Sequence, residues 1–80
     1  MSREEVFERL LPELADVFGV EPDEITVQTD MFEELGADRF DMTEISMIIE
    51  EEFDILTDDE VFSGIKTVRQ LCDYVCDKAE

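Results

Sequence analysis

The chain predicts an all-α domain: a four-helix bundle of three main helices and one short helix, with a long first loop. Apolar residues recur at helical spacing in three stretches, and each stretch is opened by residues that cap a helix. No segment carries the alternating pattern of a strand. Eighty residues make a single domain, 1–80, with no room for a second core, and an apolar fraction of 44% is enough to fold one.

The first helix opens on Ser2-Arg3-Glu4-Glu5, where a Ser cap and a Glu three residues on satisfy each other's backbone amides. Val6, Phe7, Leu10, Leu11, Leu14, Val17 and Phe18 follow on its apolar side, and Gly19 stops it. Pro12 removes the amide that would bond the Glu8 carbonyl, so a kink or break at Leu11 is expected; the polar side on which Pro12 falls favours a kink. Residues 20–37 read as a loop with turn chemistry at Glu21-Pro22-Asp23 and Gly36. Ile25, Val27, Met31, Phe32 and Leu35 are expected to pin it to the core. A loop this long in a small domain points to function.

Asp38 is the expected cap of the second helix, which runs to about Phe53 with Met42, Ile45, Ile49 and Phe53 on its core stripe. Thr57-Asp58-Asp59-Glu60 reads as another capping box, opening a short helix that Gly64 ends. Thr67-Val68-Arg69-Gln70 opens the last helix, whose apolar side carries Val68, Leu71, Cys72, Val75 and Cys76. The two cysteines read as small buried apolar residues. With no His and no second Cys pair, a metal site is not expected.

A net charge of −18 argues against direct binding to nucleic acid or to an anionic membrane. It suits steering toward basic protein surfaces. Imitation of nucleic acid is a further alternative, and it requires acids arranged like phosphates. The acidic first residues and the lack of a long apolar run predict a cytoplasmic protein with no targeting or membrane segment. A monomer is expected. Catalysis is not expected, because no nucleophile can be paired with a base and the carboxylates are too numerous to single out two.

The outer face of the second helix stands out. Phe40, Glu44, Met47 and Glu51 form one ridge away from the core stripe, flanked by Asp41, Glu50 and Asp54. Large apolar groups on an acidic ridge suit a docking surface, in which charge guides the encounter and apolar anchors hold it. Inward packing of Phe40 and Met47 under the long loop is the alternative. Just before this ridge lies Arg39, the only cation between Arg9 and Lys66, at the end of a helix where positive charge is least favourable.

The run "LGADRFDMTEISMIIEEEFDI" resembles the second-helix region of the acyl carrier proteins. Their pattern reads Leu-Gly-Ala-Asp-Ser-Leu-Asp, then a helix with Glu and Met outward, then Glu-Glu-Glu-Phe-Asp. Leu35, Gly36, Ala37, Asp38, Asp41, Glu44, Met47, Glu50, Glu51, Glu52, Phe53 and Asp54 match it. Phe18-Gly19-Val20 and Ile65-Lys66-Thr67-Val68 extend the likeness across the chain. The resemblance implies an acyl-carrier-type four-helix bundle and an acyl-carrying function in fatty-acid or polyketide-type synthesis. It also implies a 4′-phosphopantetheine arm on the serine of Asp-Ser-Leu.

Here that motif is Asp38-Arg39-Phe40. A guanidinium supplies no hydroxyl to form the phosphodiester. The expectation is therefore a carrier-like domain without the arm at this position, and with no other cofactor. It would dock on acyl-processing or other partners with basic, apolar grooves through Arg39, Phe40, Asp41, Glu44, Met47, Glu50 and Glu51. Arg39 itself would tie down the acidic loop, meet an acidic group on a partner, or have drifted free of constraint. The alternative is a working carrier modified elsewhere. Ser46 lies on nearly the same helix face about 10 Å further along, in a helix interior without free amides for a phosphate. Thr43 and Ser46 stand where the family usually has aliphatic residues, and Ile48, where it has a small one, suggests local filling of any cavity.

Overall fold

The structure, a computed structural model, describes residues 1–79. Four α-helices follow one another: α1 (Arg3–Phe18), α2 (Arg39–Phe53), α3 (Asp59–Phe62) and α4 (Val68–Lys78). The predicted fold class holds, with α1 packed along both α2 and α4.

The long helices start where local chemistry says they should. Ser2 Oγ accepts from the Glu5 amide and the Glu5 carboxylate accepts from the Ser2 amide, both at 3.2 Å. At α2, Asp38 accepts from the Asp41 amide at 2.8 Å, and Asp41 accepts from the Asp38 amide at 3.2 Å. At α4, Thr67 Oγ1 accepts from the Gln70 amide while Gln70 Oε1 accepts from the amides of Lys66 and Thr67. Gly19 ends α1 in the left-handed conformation, φ 66°. Pro12 does not break α1. Its ring lies on the exposed side, and the helix tolerates one lost amide because its other face is anchored by Val6, Leu10 and Leu14.

Those three side chains meet Met42, Ile45, Ile49 and Phe53 of α2 and Val68, Leu71, Cys72 and Val75 of α4 in one core. Complete burial of a Leu, Ile or Val side chain stabilises by about 2 kcal/mol. Burial, followed by the nearby charge of Asp73, pushes the Cys72 thiol up to about 12. Cys76 is half-buried, and its thiol donates to the Met1 carbonyl.

The connection between α1 and α2 is more ordered than its sequence suggests. Pro22–Glu24 form a turn of 3₁₀ helix. Asp30 and Thr67 then make an isolated antiparallel bridge, with Met31 donating to Lys66, Val68 to Thr29 and Arg69 to Val27. Ile25 and Met31 are buried as expected, and Leu35 packs half-buried against the core, whereas Val27 is half-buried without joining it. Phe32 is the exception. At 37% exposed it is no pin. The Asp30 carboxylate accepts from the amides of Phe32 and Glu33, and this turn carries the ring outward.

The cap of α3 also differs from expectation. Asp58, not Thr57, accepts from the amides of Glu60 and Val61. Thr57 is committed elsewhere: its amide and its hydroxyl both lie 2.9 Å from Glu50 Oε2, and its hydroxyl lies 2.7 Å from Ser46 Oγ. A carboxylate only accepts, so Thr57 donates to Glu50 and Ser46 donates to Thr57. These bonds to Thr57 hold the Glu50 carboxyl below its ordinary value. α3 is fastened by Tyr74, whose hydroxyl accepts from the Asp58 amide and whose ring meets Phe62 edge-on at 6.1 Å.

Two outcomes follow from these local features. Asp54 ends α2 with φ 56°, a conformation that disfavours side chains. Asp54→Val should lose about 1 kcal/mol in denaturant unfolding, whereas Asp54→Gly should match or exceed the parent. For Glu50, the unfolded chain binds the proton more tightly than the native one. Its stabilising contribution is therefore complete above the ordinary value of 4.5 and fades as pH falls through the lower native value. Glu50→Gln should be less stable than the parent at neutral pH, and the gap should narrow in acid.

Candidate functional site

α2 presents its first turn and one long side to solvent. Because Asp38 caps it and Met42, Ile45, Ile49 and Phe53 turn inward, the ridge of Phe40, Glu44, Met47 and Glu51 faces out. Phe40 is 77% exposed and Met47 58%, so inward packing does not occur. Glu44 and Glu51 are exposed beside them. Such apolar exposure is costly in water and has no structural return within the described residues.

The flanking acids divide into two kinds. Asp41 and Glu50 are half-buried and bonded to their own chain, the first in the α2 cap and the second to Thr57. Asp54 is exposed at the C-terminal cap. The unencumbered part of the surface is Phe40, Glu44, Met47 and Glu51. The ion pairs found among the described residues, Arg3–Asp73 and Arg9–Glu52, involve none of these.

Arg39 occupies the first position of α2 and is exposed. Its carbonyl accepts from Thr43 Oγ1 at 3.0 Å, but its guanidinium makes no ion pair among the described residues. It forms no ion pair with the acidic loop, in which Asp30 caps its own turn and Glu34 accepts from the Asp30 amide.

Behind Arg39 lies a feature that sequence reasoning missed. A cavity of about 380 Å³ opens between the first part of α2, α3 and Phe32, lined also by Arg39, Met42, Thr43, Ser46, Asp59, Phe62 and Ser63. Ile48 does not line it and so does not fill it. The signal in the sequence was the pair of polar residues, Thr43 and Ser46, at helix positions that face neither the core nor the ridge. Ser46 is half-buried with its proton directed at Thr57.

With this geometry, comparison with known proteins is direct. Residues 8–75 match the family model described as a phosphopantetheine attachment site. An acyl carrier protein of Trieres chinensis is 39% identical over 72 residues, 90% of each chain. One from Clostridium perfringens is 36% identical over 75 residues, covering 94% of this chain and 99% of its own. In three dimensions, a solved acyl carrier protein from Enterococcus faecalis superposes with a TM-score of 0.80 at 31% identity, over 98% of this chain and 99% of that one. The four-helix bundle is thus that of a known kind of protein, and the chain belongs to the acyl carrier protein family.

Proposed function

We infer that this acyl carrier protein relative acts by docking, and that no phosphopantetheine arm is attached at the position of Arg39. The observation that carries the reading is the bare ridge of α2, with Phe40 and Met47 exposed between Glu44 and Glu51. A guanidinium at the family's attachment position offers no oxygen for a phosphodiester. Partners of this chemistry are proteins with a basic rim around an apolar groove, among them acyl-processing enzymes. The acids set the rate of encounter and the two anchors set the residence time.

A second reading, a working carrier with the arm on another residue, is opposed by the hydroxyls themselves. Ser46 donates to Thr57, Ser63 donates to the Glu60 carbonyl, and Ser2 is engaged in the cap of α1. Imitation of nucleic acid is disfavoured because Phe40 and Met47 interrupt the run of acids along the ridge.

Intact-mass analysis after incubation with coenzyme A and a phosphopantetheinyl transferase tests the first part. The parent chain should gain no mass, and Arg39→Ser should gain that of the arm. A gain by the parent would establish the carrier reading in its place. For docking, quantitative capture should lose the same partners with Met47→Ala as with Phe40→Ala, each weakening binding about tenfold. Glu44→Lys should mainly slow association. A partner set indifferent to all three substitutions is the result that defeats docking.

A further inference from the structure

We propose that Arg39 fixes the direction in which a partner lies along α2, and that the partner segment is an amphipathic helix with a carboxylate over Arg39 and its cations over Glu44 and Glu51. The inference rests on the docking reading. It adds the order of the partner's charges, with an acid at one end.

Arg39 is the one basic residue of α2, and it sits at the end of the helix where the dipole disfavours a cation. The fold gives nothing back for it. Its side chain is exposed and forms no ion pair among the described residues. Arg3 and Arg9, by contrast, each reach an acid on another helix. Asp38 and Asp41, on either side of Arg39 and Phe40, direct their carboxylates to each other's amides in the cap. A planar guanidinium is therefore presented to solvent beside Phe40, which is 77% exposed.

Along the outside of α2 the order is cation, aromatic, acid, methionine, acid: Arg39, Phe40, Glu44, Met47, Glu51. At 1.5 Å per residue, Glu44 lies about 8 Å and Glu51 about 18 Å beyond Arg39. The longer span is about twice the screening length at physiological salt, so the two ends of a partner are read separately. The overall charge of −18 attracts cations without preferring a direction. Arg39 supplies the preference. A basic helix laid the wrong way round places a cation on the guanidinium and leaves Glu51 without one, and both effects oppose that orientation. A helix suits the surface because Phe40 and Met47, seven residues apart, meet apolar side chains that recur at the same spacing on another helix. The pair at Arg39 is solvated, so exchanging a lysine for a glutamate opposite it changes affinity by about fivefold.

Two synthetic amphipathic helical peptides test this. They share an apolar side and a lysine-rich half, and differ in one residue at the other end, Glu in the first and Lys in the second. Binding to the whole chain is measured by fluorescence anisotropy. The ratio of affinities, Glu-ended over Lys-ended, should fall about fivefold in Arg39→Gln. It should stay constant in Arg69→Gln, which removes the same charge from an exposed position on α4. A nitroxide beside the peptide's Glu should broaden the NMR resonances of Phe40 more than those of Glu51, and the contrast should fade in Arg39→Gln. A ratio unchanged in Arg39→Gln, an equal fall in Arg69→Gln, equal broadening at both ends, or no binding of either peptide would overturn the proposal. Phe40→Ala and Met47→Ala keep the two readings apart. If both variants weaken both peptides while the ratio ignores Arg39, docking stands and the direction-setting role fails; binding indifferent to Phe40 and Met47 defeats both.

Discussion

The rest of the structure depends on the fastening of the long connection to the start of α4. Three backbone hydrogen bonds, from Met31 to Lys66, from Val68 to Thr29 and from Arg69 to Val27, join segments far apart in sequence. Ordering each residue of such a connection costs about 1–2 kcal/mol of backbone entropy. Full burial of Met31 and near-complete burial of Ile25 and Thr29 offset part of that cost, and the ladder satisfies amides that would otherwise be stranded beside the core. Once Met31 is fixed, the turn at Asp30 fixes Phe32, and the Ala37 amide closes back on the Met31 carbonyl. The chain then enters the cap of α2 in one way. The position of Arg39, and hence of the ridge and the cavity on either side of it, descends from this seam.

Charge is distributed with equal consequence. The chain has six cations against twenty-four acids. Arg3 reaches Asp73 on α4, while Arg9 binds both the carboxylate and the carbonyl of Glu52 and lies 4.5 Å over the ring of Phe53. Two of the few positive charges therefore join α1 to its neighbours, one of them at the C-terminus of α2, where a cation complements the helix dipole. Several other acids accept from backbone amides at caps and turns. On the outer side of α2, Glu44 and Glu51 meet no cation among the described residues. A field of this kind is strongest where it is least paired.

The parts of this architecture that were legible in the sequence are those decided within one turn of helix. Ser2, Asp38 and Thr67 cap because their partners lie three residues on, and the core stripe of α2 follows from spacing alone. The outward ridge was legible for the same reason, as the complement of that stripe. Features that depend on two distant segments were not. Thr57 had the pattern of a cap, but Ser46 and Glu50 compete for it from the far side of a turn, and their offer satisfies more polar atoms. Phe32 had the composition of a core residue and is turned outward by the carboxylate of Asp30. The cavity is a gap between elements, and periodicity within one element carries no information about gaps.

α3 has a consequence of its own. It is a single turn whose hold on the bundle is one phenolic hydroxyl, one ring-to-edge contact and the burial of Phe62. Phe62 is its one residue in the core that α1, α2 and α4 share. Such a segment can leave and return without the three long helices parting, at a free energy well below that of global unfolding. Because Asp59, Phe62 and Ser63 also wall the cavity, the same excursion widens the way in. Local breathing and access to the interior are therefore one motion, and any occupant that touches Phe62 should slow amide exchange in α3 before it alters the overall melting of the domain.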